Sequence, residues 1–328
     1  MKATAAANAN IALVKYWGKR DKKLMLPQNS SISMTCDGLA TTTTVDFDDY
    51  EEDTIIINDE ELLKDKEDIV KHINLIRETA GIKQKAKVVS ESNFPTAAGL
   101  ASSASGFAAL TLAASKAAGF DLNEKELSIL SRRGSGSASR SVCEGFAEWH
   151  KGERSDGSDS FAESIVSKNY WPEFRMITTI VTEAKKKVSS RVGMQQTVET
   201  CPYYDGWLKT INDDLGAVRE GIKNKDFTLV GSTAEYNCIK MHATMMTTKP
   251  PIIYWFAPTM EIIQNVHLWR ELGLECYFTI DAGPNVKVIC LEKDEKEINK
   301  KLLKLKGVKK TIICKPGDKA MLMEKHLF

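Results

Sequence analysis

Residues 94–106, FPTAAGLASSASG, constrain the fold of this chain more than any other segment. The alternating run 85–91 reads as a strand and feeds a loop of small residues. That loop opens at once into 102–118, an Ala- and Leu-rich stretch that reads as helix and ends at Gly119. Gly99, Leu100, Ala101, Ser102, Ser103 and Ala104 would bring backbone N–H groups, with few side chains over them, to the start of that helix. Unsatisfied donors and the positive end of a helix dipole suit a phosphate. The segment lacks the G-K-[ST] of a Walker loop. A serine cap on a tightly packed helix would produce the same letters.

The rest of the chain mixes the two periodicities. Residues 41–47 and 54–57 read as strands, and Glu60–Ala80 as a helix with Gly81 as its stop. Asp121 or Asn123 caps a further helix through Ser131. Beyond Trp171-Pro172, residues 175–182 form a strand, 203–224 and 226–246 helices, and 258–272 a helix with proline at its start. Strands at 275–281 and 286–292, a helix at 294–306 and a last strand at 311–314 follow. Strict βα alternation is missing, so the fold class is α+β. The length of 328 residues suits two domains, with the boundary placed between 1–172 and 173–328. Lys+Arg is 45 against Asp+Glu 44, so a general nucleic-acid surface is not expected. No run of about 18 apolar residues occurs, and no membrane partner is expected. The seven cysteines stand singly, which points to a reducing compartment rather than a zinc or disulfide framework.

Three more segments carry chemistry. In 134–140, Ser135, Gly136, Ser137, Ala138 and Ser139 lead to Arg140, a planar fork for carboxylate or phosphate; a flexible surface loop is the plainer reading. In 10–21, Lys15 and Lys19 bracket Tyr16, Trp17 and Gly18, either to hold an anion or as lysines snorkelling from an amphipathic strand. In 278–288, Asp281 ends an apolar strand, where a carboxylate needs either partners or a task, unless it merely caps its own turn. No histidine arrangement suggests a hydrolase or metal site, and no metal ligand is assigned.

Taken in order, NIALVKYWGK, LPQNSSISMT (26–35), residues 90–110, RRGSGSASRS, GMQQTVET (193–200) and FTIDAGPNVK resemble the consecutive signatures of the diphosphomevalonate decarboxylases of the GHMP kinase superfamily. The resemblance runs from about residue 8 to 290. It implies a GHMP kinase fold: a ribosomal-S5-like N-terminal domain, a ferredoxin-like C-terminal domain, and an active site between them. It further implies ATP-dependent decarboxylation of mevalonate 5-diphosphate, with ATP and Mg²⁺ as the only cofactors, in a cytoplasmic homodimer. Asp281, Lys15 and Arg140 would be catalytic. Tyr16 to Lys19, Ser135 to Arg140 and Thr200 would hold the substrate, and Gly99 to Ala104 the ATP phosphates. Two departures stand out: Ser139 replaces a usual cysteine, and the helix before residue 77 offers only Lys64, Lys66 and Lys71 where the family usually has an arginine on the diphosphate. A decarboxylase of the 5-phosphate, or a 3-kinase without decarboxylation, therefore stays beside the diphosphate reading.

Overall fold

The computed structural model describes residues 1–64, 66–94, 102–184 and 186–328. Strand β1 (Lys2–Val14) is buried on nearly every side. A short ribbon, β2 (Lys19–Asp21) and β3 (Leu26–Pro27), follows it. The Thr- and Val-rich β4 (Ser31–Asp48) pairs antiparallel with β1 along most of its length. Next come β5 (Thr54–Ile57), β6 (Glu60–Glu61), α1 (Glu67–Ala80) and β7 (Lys85–Ser92). Helix α2 (Ser102–Ala117) crosses this sheet, and Ala108, Ala109, Ala113 and Ala114 are fully buried beneath it. Small side chains let helix and sheet approach closely, so the Ala-rich sequence suits this position. Helices α3 (Glu124–Gly134) and α4 (Ala138–Ser141) lead to β8 (Phe146–Trp149) and β9 (Ala162–Val166).

The second half contains β10 (Phe174–Ile180), α5 (Ser190–Thr200), α6 (Tyr204–Asn224), α7 (Phe227–Met246) and α8 (Ala257–Glu271). It continues with β11 (Tyr277–Ile280), β12 (Val286–Leu291), α9 (Glu292–Leu302) and β13 (Lys310–Cys314). Its four strands form an antiparallel sheet in the order β11-β12-β10-β13. The chain then returns: β14 (Met321–Met323) pairs antiparallel with β1 at the edge of the first sheet. The α+β class expected from the sequence is thus observed. Ile11, Leu13, Val14 and Trp17 share one hydrophobic cluster with Trp207, Ile211, Leu215 and Met241, so β1 is cemented to α6 and α7 of the other half. Among the described residues, no helix is long and apolar enough to cross a membrane.

Three expectations need correction. Residues 60–64 are not the start of α1: Asn58 and Asp59 take positive φ and turn the chain into the β5–β6 hairpin. Residues 138–141 are a helical turn rather than loop. Thr311–Cys314 is not the last strand, since β14 follows. Other signals held locally: Asn123 builds a capping box on α3 with Glu126, and Gly81 ends α1 at φ 68°.

Helix α1 is tied down by Arg77. Its guanidinium chelates Asp53, with Nη1 at 3.0 Å from Oδ2 and Nη2 on Oδ1, and Nε donates to the Gln84 carbonyl at 2.8 Å. Asp53 Oδ1 also accepts the Ala86 N–H at 2.8 Å. Both side chains are nearly buried, so removing one leaves the other charge without its partner. Arg77→Ala should therefore cost about 3–5 kcal/mol, read as a lowered midpoint in urea unfolding followed by circular dichroism. A midpoint unchanged from the parent would show that solvent reaches and satisfies Asp53.

Candidate active site

Lys15 is the first residue beyond β1, and Asp281 the first beyond β11. Their side chains meet: Lys15 Nζ donates to Asp281 Oδ1 at 2.7 Å. A second ammonium, Lys287 on β12, stands 3.2 Å from Asp281 Oδ2. Lys15 and Lys287 are each about 1% exposed, while the Asp281 side chain retains 25% exposure toward the cleft. Burial opposes charge on Asp281, but the ammoniums of Lys15 and Lys287 outweigh it and hold the carboxyl well below the usual carboxylate range. His242 of α7 lies behind this group. Burial, reinforced by Lys15, pushes its imidazole down to about 3, so it is neutral.

Arg140 comes from α4 and is 3% exposed. Its Nε donates to Asn10 Oδ1 at 3.1 Å and to Ser33 Oγ at 3.0 Å, and Nη1 donates to Ser31 Oγ. Burial pushes this guanidinium down to about 10, against the pull of Asp281 and Tyr16. All three acceptors are neutral, so its charge is held in place without being neutralised, ready for an anion. Tyr16 packs edge-on against Trp149 at 4.8 Å between centroids. Trp17 is buried and its Nε1 donates to Thr197 Oγ1 at 2.9 Å. Gly18 has φ +108°, and a Cβ there would collide with the Tyr204 hydroxyl, which donates to the Trp17 carbonyl at 2.6 Å. The glycine is thus demanded twice, by backbone conformation and by close approach.

Asp281, Lys15, Arg140, Tyr16 and Trp17 face one cleft of about 440 Å³ between the two halves. Lys15, Tyr16, Trp17 and Lys19 line one side, and Ser135, Gly136, Ser137 and Arg140 another. Ser102 and Ser103, at the start of α2, complete the rim, with Asp281 on the floor. Gly18, Ala104, Ala138 and Ser139 are not on its wall; Ala104 and Ala138 are fully buried, and the Ser139 hydroxyl donates to the Gly136 carbonyl at 2.7 Å. Thr200 is also not on the wall: its hydroxyl donates to the Gln196 carbonyl at 2.7 Å and accepts the Lys249 N–H at 2.9 Å. Gly99, Leu100 and Ala101 lie outside the described residues.

Comparison with known proteins separates this arrangement from others of similar charge. Residues 7–162 match the family model of the diphosphomevalonate decarboxylase-like N-terminal domain, and residues 176–323 that of the mevalonate 5-diphosphate decarboxylase C-terminal domain. The chain belongs to the diphosphomevalonate decarboxylase family. It is 37% identical over 309 residues to the diphosphomevalonate decarboxylase of Homo sapiens, covering 88% of this chain and 76% of the human one. The mevalonate diphosphate decarboxylase of Staphylococcus aureus superimposes with a TM-score of 0.93 at 40% identity, covering 98% of each chain. That of Enterococcus faecalis gives 0.91 at 42% identity, covering 99% of each. A complex of MDDEF with MVAPP, AMPPCP and magnesium gives 0.93 at 43% identity, again covering 99% of each chain.

Set within the decarboxylase family, the cations that the sequence left out become clear. Lys287 carried a signal: a lysine inside the apolar run VKVICL cannot be buried without a charged partner. Lys186 donates to Ser190 Oγ at 2.7 Å and to the Ala282 carbonyl at 2.8 Å on the cleft wall. Arg191 follows Ser190, the first residue of α5, and its Nη1 donates to Asp68 Oδ1 of α1. It lines both the cleft and an adjoining cavity of about 470 Å³, to which Lys19, Lys22, Lys71 and Arg133 also contribute. Of the three lysines considered on or before α1, Lys71 is on that cavity wall, Lys66 donates to the Asp53 carbonyl, and Lys64 is exposed. A planar fork is therefore present after all, supplied by Arg191 from the opposite half.

Burial lowers Lys19 to about 8, with Arg191 adding to the effect; burial also lowers Lys186 to about 8, against the pull of Asp281. Below that pH both are ammoniums, and above it both lose charge. Affinity for an anion should accordingly fall as pH rises through about 8. Sulfate, whose charge is constant in this range, should bind at least about tenfold more weakly at about pH 9.5 than at about pH 7, each charged hydrogen bond being worth about 1.5–3 kcal/mol. Calorimetric titration checks this, and flat affinity across the range would remove both lysines from the anion site.

Proposed function

We propose that this chain catalyses the ATP-dependent decarboxylation of mevalonate 5-diphosphate to isopentenyl diphosphate, CO₂, ADP and phosphate. The observation that carries the reading is the Asp281 carboxylate, held between two buried ammoniums and open on one side to a cleft with Arg140 and Arg191 on its walls. Membership of the family and the substrate and nucleotide analogues bound in the related MDDEF complex support it. The diphosphate is favoured over the monophosphate because Arg191, Lys19 and Lys71 lie together at one end of the cleft.

In this reading the substrate carboxylate lies against Arg140, its diphosphate against Lys19 and Arg191, and its 3-hydroxyl on Asp281. Nucleotide phosphates reach the start of α2, where Ser102 and Ser103 offer hydroxyls. Among the described residues no group of three or more His, Cys, Asp or Glu stands ready to hold a metal. Mg²⁺ would come with the nucleotide's own phosphates. The 3-oxygen attacks the γ-phosphorus and ADP leaves. An Asp281 held so firmly ionised is a weak proton acceptor, so its work is to orient the hydroxyl and to stabilise positive charge, while the proton passes late, in a loose transition state, to an oxygen of the transferred phosphoryl group. Lys15 faces the transferring phosphoryl group. The C3–O bond then breaks with phosphate as leaving group. Electrons of the C1–C2 bond form the new double bond as CO₂ departs, and Asp281 stabilises the positive charge that develops at C3. The reading also includes a homodimer in the cytoplasm, an expectation drawn from the family likeness.

Purified protein given ATP, Mg²⁺ and, separately, mevalonate, its 5-phosphate or its 5-diphosphate should release equimolar ADP and CO₂ from the diphosphate alone. ADP without CO₂ would make the chain a kinase. CO₂ mainly from the monophosphate would move the specificity. Asp281→Asn should lower turnover by about 10³-fold, the scale of losing a preorganised group that stabilises developing charge, while nucleotide still binds. A tenth or more of parental activity would leave Asp281 as a turn cap.

A further inference from the structure

The main chain of Lys15 is held at both of its polar atoms by side chains. Asn237 Oδ1 on α7 accepts the Lys15 N–H at 2.8 Å, and Asn29 Nδ2 donates to the Lys15 carbonyl at 2.8 Å. Asn237 is fully buried, and the orientation of its amide is fixed. Its Nδ2 lies 2.6 Å from Asp214 Oδ2 on α6, and an ionised carboxylate only accepts, so the nitrogen must face Asp214 and the oxygen must face Lys15. Lys240 Nζ donates to the same Asp214 oxygen at 2.6 Å, and both of these side chains are largely buried. An ordered chain of contacts therefore runs Lys240, Asp214, Asn237, Lys15, Asp281. It begins on α6 and α7 and crosses to the residue that follows β1.

We propose that Asn237, oriented by the Asp214–Lys240 ion pair, is a positioning residue that sets where Lys15 stands against Asp281. The Lys15 side chain is 2% exposed, so its long stem is enclosed and cannot take up a shift of its own main chain. Any displacement at the peptide is carried to Nζ, 2.7 Å from the carboxylate. Asn237 touches neither cleft wall nor reacting atoms; it acts through Lys15. The kinetic part of this inference rests on the reaction proposed above, whereas the geometric part does not.

The test is a cycle on the two side chains. Asn237→Asp places two carboxylates face to face and breaks the chain; adding Asp214→Asn restores a donor opposite an acceptor with the roles exchanged. Turnover should fall about 10–100-fold in Asn237→Asp, the scale of a misplacement near 1 Å. The KM for each substrate should stay within about threefold, and the double variant should recover to within about fivefold of the parent. Protein labelled with ¹³Cγ-aspartate gives a readout independent of turnover. The Asp281 resonance, assigned by its loss in Asp281→Asn, should shift in Asn237→Asp and return in the double variant. If Asn237→Asp does not fold, Asp214→Asn alone, which keeps side-chain volume, should shift the same resonance and lower turnover at least about threefold. An Asp281 resonance unmoved in the single variants, or a double variant no better than Asn237→Asp, would overturn the inference. Parent protein that releases no CO₂ would overturn the reaction, while the resonance would still decide the clamp.

Discussion

An ionised carboxylate between two buried ammoniums makes sense only if all three charges are brought into register. Lys15 extends from the first sheet, Asp281 and Lys287 from the second. Each charge would be expensive to bury alone, and together they offset much of that cost. The two sheets therefore cannot drift apart without stranding charge in a poorly hydrated interior. The shared hydrophobic cluster of β1, α6 and α7 does the bulk of the joining, but it is indifferent to small sliding. The ion triad and the Asn237 hydrogen bond are directional, and they fix the alignment.

Much of the cleft is then a consequence of where strands end. Asp281 lies just past β11 and Lys15 just past β1, so their side chains meet where the two sheets end against each other, and only Asp281 keeps a face toward the cleft. Arg140 is held by neutral acceptors only, which keeps its charge available. The cleft thus contains the strongly compensated Asp281, an Arg140 whose partners are all neutral, and an Arg191 paired with Asp68 on the same wall. That asymmetry favours a ligand that is anionic at both ends and carries a neutral hydroxyl between them.

A good part of this was legible in the sequence, because local chemistry dictated it. Asn123 with Glu126, Gly81 after α1 and the Ala-rich α2 are short-range signals, and the structure follows them. Asp281 could be singled out since it ends an apolar run, whereas Lys15 stood out only beside Tyr16 and Trp17 and took its role from the family resemblance. Lys287 and Arg191 were harder. A lysine within an apolar strand reads as an edge residue until its partner is known, and that partner lies six positions back across a turn. Arg191 belongs to the other half of the molecule from Lys71, so no window of sequence joins them. Residues 60–64 were misread because Leu62 and Leu63 extend the helical period of α1 backward, although the Asn58-Asp59 turn had already committed the chain to a hairpin. β14 is three exposed residues with no period to detect, and its pairing depends wholly on where β1 lies.

That last strand bears on how the chain is assembled. Thr4 pairs with Met323, so the sheet built first along the chain is not finished until a segment from beyond the second sheet has come back to it. The N-terminal half therefore waits, with one side of β1 uncovered, while some three hundred residues are added. Loop-closure entropy of that length is a slow, late contribution to folding. Until β14 arrives, the β1 edge at Thr4–Ala6 is an unpaired strand edge of the kind open to pairing with other chains.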